Sequence, residues 1–395
     1  MTHRSGRHFL QLPGPTPVPG RVFRAMNRDV IDHRGPEFGR MSLGLFEGLK
    51  RVFGDPAHVF IFPSSASGCW EAALVNALSP GDRVLLWNNG FFASKWGDFA
   101  RELGFDVEVL TGDWRHPADP GRIAARLAQD REREIQAVLV VHNETSTGVT
   151  SDIAAIRAAI DGTGHPTLFM VDTVSSLAAT PFRQSEWGVD VSVCGSQKGL
   201  MLPPGLGFCA VSDRALDRHR DGAPTPRAYF DWTEMLRENE RGYFPYTPPT
   251  TLLYGLEASL AMLREEGADA TFARHTRLAE ATRRAVAGWG LRNYCQDPDA
   301  VSSAGTTVMV GDGEDAEPFR AAVLERFDMS LGTGLGPLRG KVFRIGHLGD
   351  VNELMLMGAL AGVEMGLKIS GIAHTTGGLA AAAEFLAAAD SPADA

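Results

Sequence analysis

Val189-Asp190-Val191-Ser192-Val193-Cys194-Gly195-Ser196-Gln197-Lys198-Gly199 is the stretch that sets the fold. Its first six residues are apolar apart from Asp190 and Ser192, as in a strand buried on both faces, and Gly195 to Gly199 then ends the strand with small residues. Leu200-Met201-Leu202-Pro203-Pro204-Gly205 follows, apolar again and broken by Pro and Gly. Lys198 therefore stands at a strand end with apolar sequence on both sides. Desolvation there disfavours the ammonium and lowers the pKa, the condition under which a lysine attacks a carbonyl as a free amine. An ordinary solvated surface lysine is the commoner reading of these five residues alone, so the rest of the chain has to decide.

Outward from this stretch, apolar runs fall at Val59 to Phe62, Val84 to Trp87, Val107 to Leu110, Ala137 to Val141, Leu168 to Val171 and Gly207 to Val211. The intervals at Gly68 to Leu78, Phe91 to Leu103, Arg122 to Gln129 and Ile153 to Ile160 hold helices. Runs apolar on both faces and separated by helices predict an α/β chain built on a mostly parallel, seven-stranded sheet. Gly207 to Val211 lies too close to its predecessor for a helical crossover and is expected to run antiparallel. Upstream, the Pro-rich Pro13 to Gly20 reads as an extended arm, followed by helices at Arg21 to Asn27 and Phe38 to Phe53. Downstream, sequence rich in Pro and aromatics runs to Tyr254, a long helical stretch from Leu252 to Trp289 breaks at Gly267, and a smaller α+β unit follows. That unit has strands at Thr306 to Val310 and Val342 to Ile345 and helices at Pro318 to Phe327 and Glu353 to Gly366. The expected organisation is an arm over 1–22, a large domain over 23–262, a small C-terminal domain over 263–376 and an Ala-rich tail over 377–395, helical in part and then disordered.

At 395 residues with 44% hydrophobic and 22% charged residues, the composition is that of a globular protein. A net charge of −10 without a basic cluster speaks against nucleic acid or an anionic membrane as partner. Cys69, Cys194, Cys209 and Cys295 form no C-x-x-C pair and read as reduced thiols of a cytoplasmic protein, with neither a disulfide framework nor a zinc site. There is no apolar run long enough to span a membrane and no secretory leader.

In an open parallel sheet, ligands sit beyond the carboxyl ends of the strands. Pro63-Ser64-Ser65-Ala66-Ser67-Gly68 leads into a helix and makes an anion site suited to a phosphate, or else an ordinary N-cap at Ser65 or Ser67. Asn88-Asn89-Gly90-Phe91-Phe92 offers aromatics that either stack on a flat ligand or pack in the core. His142 to Gly148 is a dense polar cluster. Asp172 ends the fully apolar Leu168 to Val171, and stays charged there only with a partner such as a protonated heterocyclic nitrogen. Asp172 and Lys198 thus end two consecutive inner strands. A lysine amine for an aldehyde, an acid for a ring nitrogen, a phosphate cradle and a stacking ring are together the set that pyridoxal phosphate asks for.

These residues carry a resemblance. Pro13-Gly14-Pro15-Thr16, Asp32-His33-Arg34, Trp70-Glu71, His142 to Thr150, Val171-Asp172, Val174-Ser175-Ser176, Glu186 to Asp190, Gly195 to Gly199, Leu202 to Gly207, Phe244 to Pro248 and Gly340 to Asp350 closely resemble the class V, fold type I aminotransferases, and within them the serine–glyoxylate and alanine–glyoxylate type. The resemblance implies that Lys198 attaches pyridoxal 5'-phosphate covalently and moves the substrate proton, while Asp172 pairs with the ring nitrogen. Thr145 bonds the phenolic oxygen, Phe92 stacks on the ring, and Ser65, Ala66, Ser67 and Gln197 hold the phosphate. Arg344 grips the substrate α-carboxylate as a bidentate fork. It also implies a homodimer, or a tetramer of such dimers, in which Thr247 completes the neighbour's phosphate site and His33 and Arg34 reach the neighbour's substrate.

The expected reaction is transfer of the amino group of a small L-amino acid, serine, to glyoxylate, giving glycine and a 2-oxo acid, with no metal. Aspartate or alanine as donor is the alternative, and a lyase, a desulfurase or a binding protein without catalysis stands further off. At two positions the chain departs from the family pattern. Ala66 replaces a glycine of the phosphate loop, so it either takes a backbone angle glycine takes freely or the loop is shifted. Thr173 replaces a glycine beside Asp172 and brings a branch and a hydroxyl there. His142 reads as a packed ring behind the site, Gly332 to Gly336 as a flexible substrate-side turn, Tyr243 and Tyr246 as residues packing at the interface, and Arg183 and Arg241 as surface or interface charges.

Overall fold

The seven apolar runs form one sheet, as a computed structural model that describes residues 5–222 and 225–388 shows. In chain order, a short strand β1 (Phe9–Gln11) opens the arm, followed by helices α1 (Gly20–Met26) and α2 (Pro36–Phe53). The alternation then runs β2 (His58–Phe62), α3 (Ala66–Ala77), β3 (Arg83–Asn88), α4 (Phe91–Glu102), β4 (Asp106–Thr111), α5 (Pro120–Gln129) and β5 (Ile135–Val141). A two-stranded ribbon of β6 (Asn143–Glu144) and β7 (Val149–Thr150) leads to α6 (Ile153–Gly162), β8 (Leu168–Asp172), β9 (Val191–Gly195) and β10 (Gly207–Val211). The sheet order is β2, β10, β9, β8, β5, β3, β4. Strands β9, β8, β5, β3 and β4 are mutually parallel, and β10 runs antiparallel to both β9 and β2, as its short connection to β9 requires.

Local chemistry starts the covering helices. Asp119 caps α5 by accepting from the Arg122 amide, with Pro120 in the first turn, and Asp152 caps α6 through the Ala155 amide. Inner strands β5, β8 and β9 are almost wholly buried, so their period-2 alternation disappears. Burying one Leu, Ile or Phe of this kind contributes about 1.5–3 kcal/mol.

Beyond β10 the chain is more helical than its composition suggests: α7 (Asp213–Asp221) and α8 (Trp232–Asn239) occupy the stretch expected to be loose. Helices α9 (Thr250–Glu266) and α10 (Ala268–Gly288) part at Gly267, whose φ of +84° is open to glycine at no cost. Strands β11 (Arg292–Asn293), β12 (Gly305–Met309), β13 (Met329–Thr333) and β14 (Val342–Gly346) make a second sheet with β1 at its edge, covered by α11 (Ala316–Phe327), α12 (Glu353–Ser370) and α13 (Gly378–Ala387).

Two main hydrophobic cores result. One spans Val22 to Leu263 around the large sheet, and the other spans Leu278 to Ala382 around the small one. The tail helix α13 packs into the second core through Ala382, while the part of the tail expected to be disordered, 389–395, lies outside the described residues.

The arm ties both cores together. Phe9 to Gln11 pair in parallel with Met329 to Leu331, the Gln11 side chain donates to the Gly346 carbonyl, and Thr16 then donates from its amide to Gln197 O (3.1 Å) and from its hydroxyl to Lys198 O (3.2 Å). The small sheet makes room for it with glycine: a Cβ at Gly346 would stand 1.9 Å from the Leu12 carbonyl oxygen, and one at Gly305 would stand 2.8 Å from the Pro13 ring.

Candidate active site

Asp172 and Lys198 lie on neighbouring parallel strands or just past their ends, with Asp172 paired in register to Val193. Both are buried, at 3% and 6% exposure. The Asp172 carboxylate accepts one N–H on each oxygen, from Trp70 Nε1 (2.8 Å) and from the Val174 amide (2.8 Å). Burial raises its pKa to about 7 against the pull of those two donors. The Lys198 amine donates to the Pro13 carbonyl at 2.5 Å, and burial, helped by the Arg344 charge, lowers its pKa to about 8. The arm therefore supplies the group that holds the free amine in place.

One pH effect follows for the cofactor-free chain. The folded pKa of Asp172 is raised above its ordinary value of 3.8, so the stability this residue contributes is complete below that value and is lost as pH rises through about 7. Urea unfolding midpoints of cofactor-free protein should fall from pH 5 to pH 8, and the Asp172-dependent part of that fall should vanish in Asp172→Asn. An equal fall in the variant would contradict it.

The ribbon β6–β7 supplies the next wall. Thr145 shares a hydrogen bond with Ser175 Oγ at 2.5 Å, so its hydroxyl is oriented from the loop that follows Asp172. Arg344 on β14 reaches across from the small sheet, donating from Nε to Thr333 O (2.8 Å) and from Nη1 to Thr145 O (3.0 Å). Burial pushes its pKa down to about 10. Two of its five N–H donors are thus taken, and the outer edge, one N–H on Nη1 and both on Nη2, has no protein acceptor among the described residues. That edge is the part of a guanidinium that grips a carboxylate with two parallel bonds.

Phe92 is half-buried at the start of α4, edge-on to Phe91 with ring centroids 5.5 Å apart. At the start of α3, Ser65 is the N-cap residue but gives no side-chain cap, which leaves the first amides of a 12-residue helix to another acceptor. Gly195 brings Gln197 to this point: a Cβ there would lie 2.8 Å from Gln197 Oε1 and 3.3 Å from Ala66 Cβ. Ser65, Ala66, Ser67 and Gln197 therefore stand round one uncapped helix end. An uncapped helix start, a buried acid with a raised pKa and a buried amine with a lowered one fit the phosphate, the ring nitrogen and the aldehyde of pyridoxal phosphate.

The two departures from the family pattern are accommodated. Ala66 is the first residue of α3 and is not among the residues with positive φ, so the loop carries no strain for want of a glycine. Thr173 is fully buried, and its amide and hydroxyl both donate to Val193 O at 2.9 Å. Its hydroxyl is taken up by the neighbouring strand.

His33, Arg34 and Thr247 are not brought to this cluster within one chain. His33 and Arg34 hydrogen-bond to each other, the Arg34 amide bonds to Asp32, and Thr247 is exposed. His142 packs against Phe182 and Trp187, and burial lowers its pKa to about 4, as suits a neutral ring behind the site. Gly332-Thr333 ends β13 and Gly336 begins a 3-10 turn, so only part of that segment is loop. Arg183 is exposed and paired with Glu186, and Tyr246 stacks on Tyr229 at 4.1 Å. The geometry adds Pro13, Trp70, Glu144 and Ser175 to the residues expected at the site. The nearest sequence signal for them was that all four fall inside the quoted motifs without an assigned part.

Similarity to known proteins covers the whole arrangement. The model of the aminotransferase class-V family matches residues 14–322. A serine–glyoxylate aminotransferase of Methylorubrum extorquens is 48% identical over 391 residues, 98% of this chain and 97% of the relative. An L-aspartate–glyoxylate aminotransferase of Paracoccus denitrificans is 44% identical over 375 residues, 94% of each. Among solved structures, a ureidoglycine–glyoxylate aminotransferase from Bacillus subtilis superposes with a TM-score of 0.90 at 28% identity, covering 98% of this chain and 100% of that one.

Proposed function

The chain belongs to the class-V aminotransferase family, and on that premise we propose that it moves the amino group of L-serine to glyoxylate, forming glycine and the 2-oxo acid of serine. The observation that carries the reaction type is the pair at the ends of β8 and β9, a buried acid and a buried amine whose pKa values are pushed toward each other, to about 7 and about 8. Serine as donor is supported by the 48% identity to a relative of that name.

Bound pyridoxal phosphate supplies an electron sink for the pair left when the substrate's Cα–H bond breaks. The chain's own residues do the rest. Lys198, whose amine donates to Pro13 O in the cofactor-free chain, would hold the cofactor and then, once released, carry the proton from the substrate Cα to the carbon that receives it. Asp172 stays ionised against the protonated ring nitrogen, its two oxygens fixed by Trp70 and Val174. Thr145, set by Ser175, would donate to the phenolic oxygen, and Phe92 would stack on the ring. Ser65, Ala66, Ser67 and Gln197 take the phosphate, and the free edge of Arg344 takes the α-carboxylate. A second copy of the chain would complete the site with Thr247, His33 and Arg34, so the working unit is a homodimer. Four free, buried cysteines support a cytoplasmic setting.

Rapid mixing of the holoenzyme with single amino acids tests the choice of donor, read as loss of the cofactor's visible band. Serine is expected to bleach it at least about tenfold faster per unit concentration than alanine or aspartate, a difference of about 1.4 kcal/mol in transition-state binding. Aspartate as the faster donor would transfer the enzyme to the other relative's activity.

A further inference from the structure

We propose that Glu144 is a positioning residue: from β6 its carboxylate caps the first turn of α4 and so sets the plane of the Phe92 ring. The inference deepens the reading of Phe92 as the ring that stacks on the cofactor, and rests on it.

Glu144 is completely buried, at 0% exposure. Its Oε2 accepts from the amides of Phe92 (3.1 Å) and Ala93 (3.0 Å), and its Oε1 accepts from the amide (3.0 Å) and hydroxyl (2.6 Å) of Ser146. The same Ser146 Oγ accepts from the Phe91 amide at 3.0 Å. Helix α4 begins after Gly90, which has no side chain to cap it, and the first amide paired inside the helix is that of Ser94, to Gly90 O. Of the four orphan amides at this helix start, that of Gly90 donates to Asn88 Oδ1 (3.3 Å), and those of Phe91, Phe92 and Ala93 are satisfied by Glu144, two directly and one through Ser146.

Gly90 is what lets the carboxylate in. A Cβ there would stand 2.1 Å from Glu144 Cγ and 2.3 Å from Cδ. All four of its partners donate and it lies at a helix N-terminus, which favours the carboxylate and opposes the rise in pKa that burial causes. The anchored amides belong to the two aromatics of the wall. Phe92 is held at its own backbone nitrogen. Phe91, edge-on to it, meets the small unit's turn at Gly336, where a Cβ would lie 3.3 Å from the Phe91 ring. A shift of the α4 start would turn both rings.

A double-mutant cycle on cofactor binding separates positioning from bulk stability. Cofactor-free protein would be titrated with pyridoxal phosphate and binding read by absorbance and by quenching of Trp fluorescence, with no turnover involved. Glu144→Gln is expected to raise the dissociation constant about tenfold in the native background and by less than about twofold in Phe92→Ala, because a group that acts through Phe92 has nothing left to position. Equal losses in both backgrounds would overturn the inference while leaving Phe92 as the stacking ring. An unchanged constant in Phe92→Ala alone would overturn the stacking role, and the inference with it.

If Glu144→Gln does not yield folded protein, Ser146→Ala removes only the bridge to Phe91. It is expected to weaken binding about threefold in the native background and not at all in Phe92→Ala, and equal weakening in both would again overturn the proposal.

Discussion

Lys198→Ala is expected to lower the transamination rate by at least about 10⁴-fold, because the amine is the base proposed for the Cα proton and such a group is worth about 10²–10⁴ by itself. Loss of the covalent hold on the cofactor adds to that. The variant should fold, since removing a buried amine also removes the cost of desolvating it. What is left behind is the Pro13 carbonyl, whose lost partner costs about 1–3 kcal/mol. Borohydride treatment followed by mass measurement of the chain checks the covalent part: the native chain should gain the mass of the reduced cofactor and the variant should not. Lys198→Arg should behave like the alanine variant, because a guanidinium keeps the charge but does not become a free amine. Retention of either the attached mass or more than about a thousandth of the rate in Lys198→Ala would refute the assignment.

Asp172→Asn should be the next most damaging change, slowing single-turnover reaction with serine by about 10²–10³-fold, since removing one partner of a buried charged pair costs about 3–5 kcal/mol. The substitution keeps the shape and changes only the chemistry. Its amide presents one acceptor oxygen to two donors, Trp70 Nε1 and the Val174 amide, so one of them must face an NH2 group and lose its bond. The absorption spectrum of the bound cofactor should shift as well, because its ring nitrogen no longer faces a negative charge. A single-turnover rate within about threefold of native would show that the ring nitrogen is not held by this residue.

How much of this could be read in the residues beforehand depended on whether the cause was local. The strands of the large sheet were legible because all but the half-exposed edge strand β4 are short runs apolar on both faces, and even the reversed direction of β10 followed from the eleven residues between Gly195 and Gly207 being too few for a crossover. Asp172 and Lys198 were legible for the same reason, as charged residues that interrupt buried strands. Strand β1 was not, since three residues carry no pattern and are extended only because β13 lies alongside. Helix α7 hid behind its charges: of Asp213–Asp221 only Ala215, Leu216 and His219 are buried. Glu144 was invisible as a functional residue because its acceptor atoms serve amides in another loop, and the one sign of it, Gly90, looks like any turn glycine.

The threading of the N-terminal arm has a consequence for synthesis. Phe9 pairs with Met329, and the Leu12 carbonyl rests against Gly346, so a segment made before the large sheet must wait for residues more than three hundred positions later before it has a surface to lie on. Domains generally fold in the order they are made, and contacts of such separation form late. The large sheet can therefore assemble with Lys198 in it while Pro13 still hangs free. A nascent or truncated chain ending before β13 would carry its reactive lysine unsheltered, and the finished amine is tuned only when the last strand of the small sheet closes over the arm.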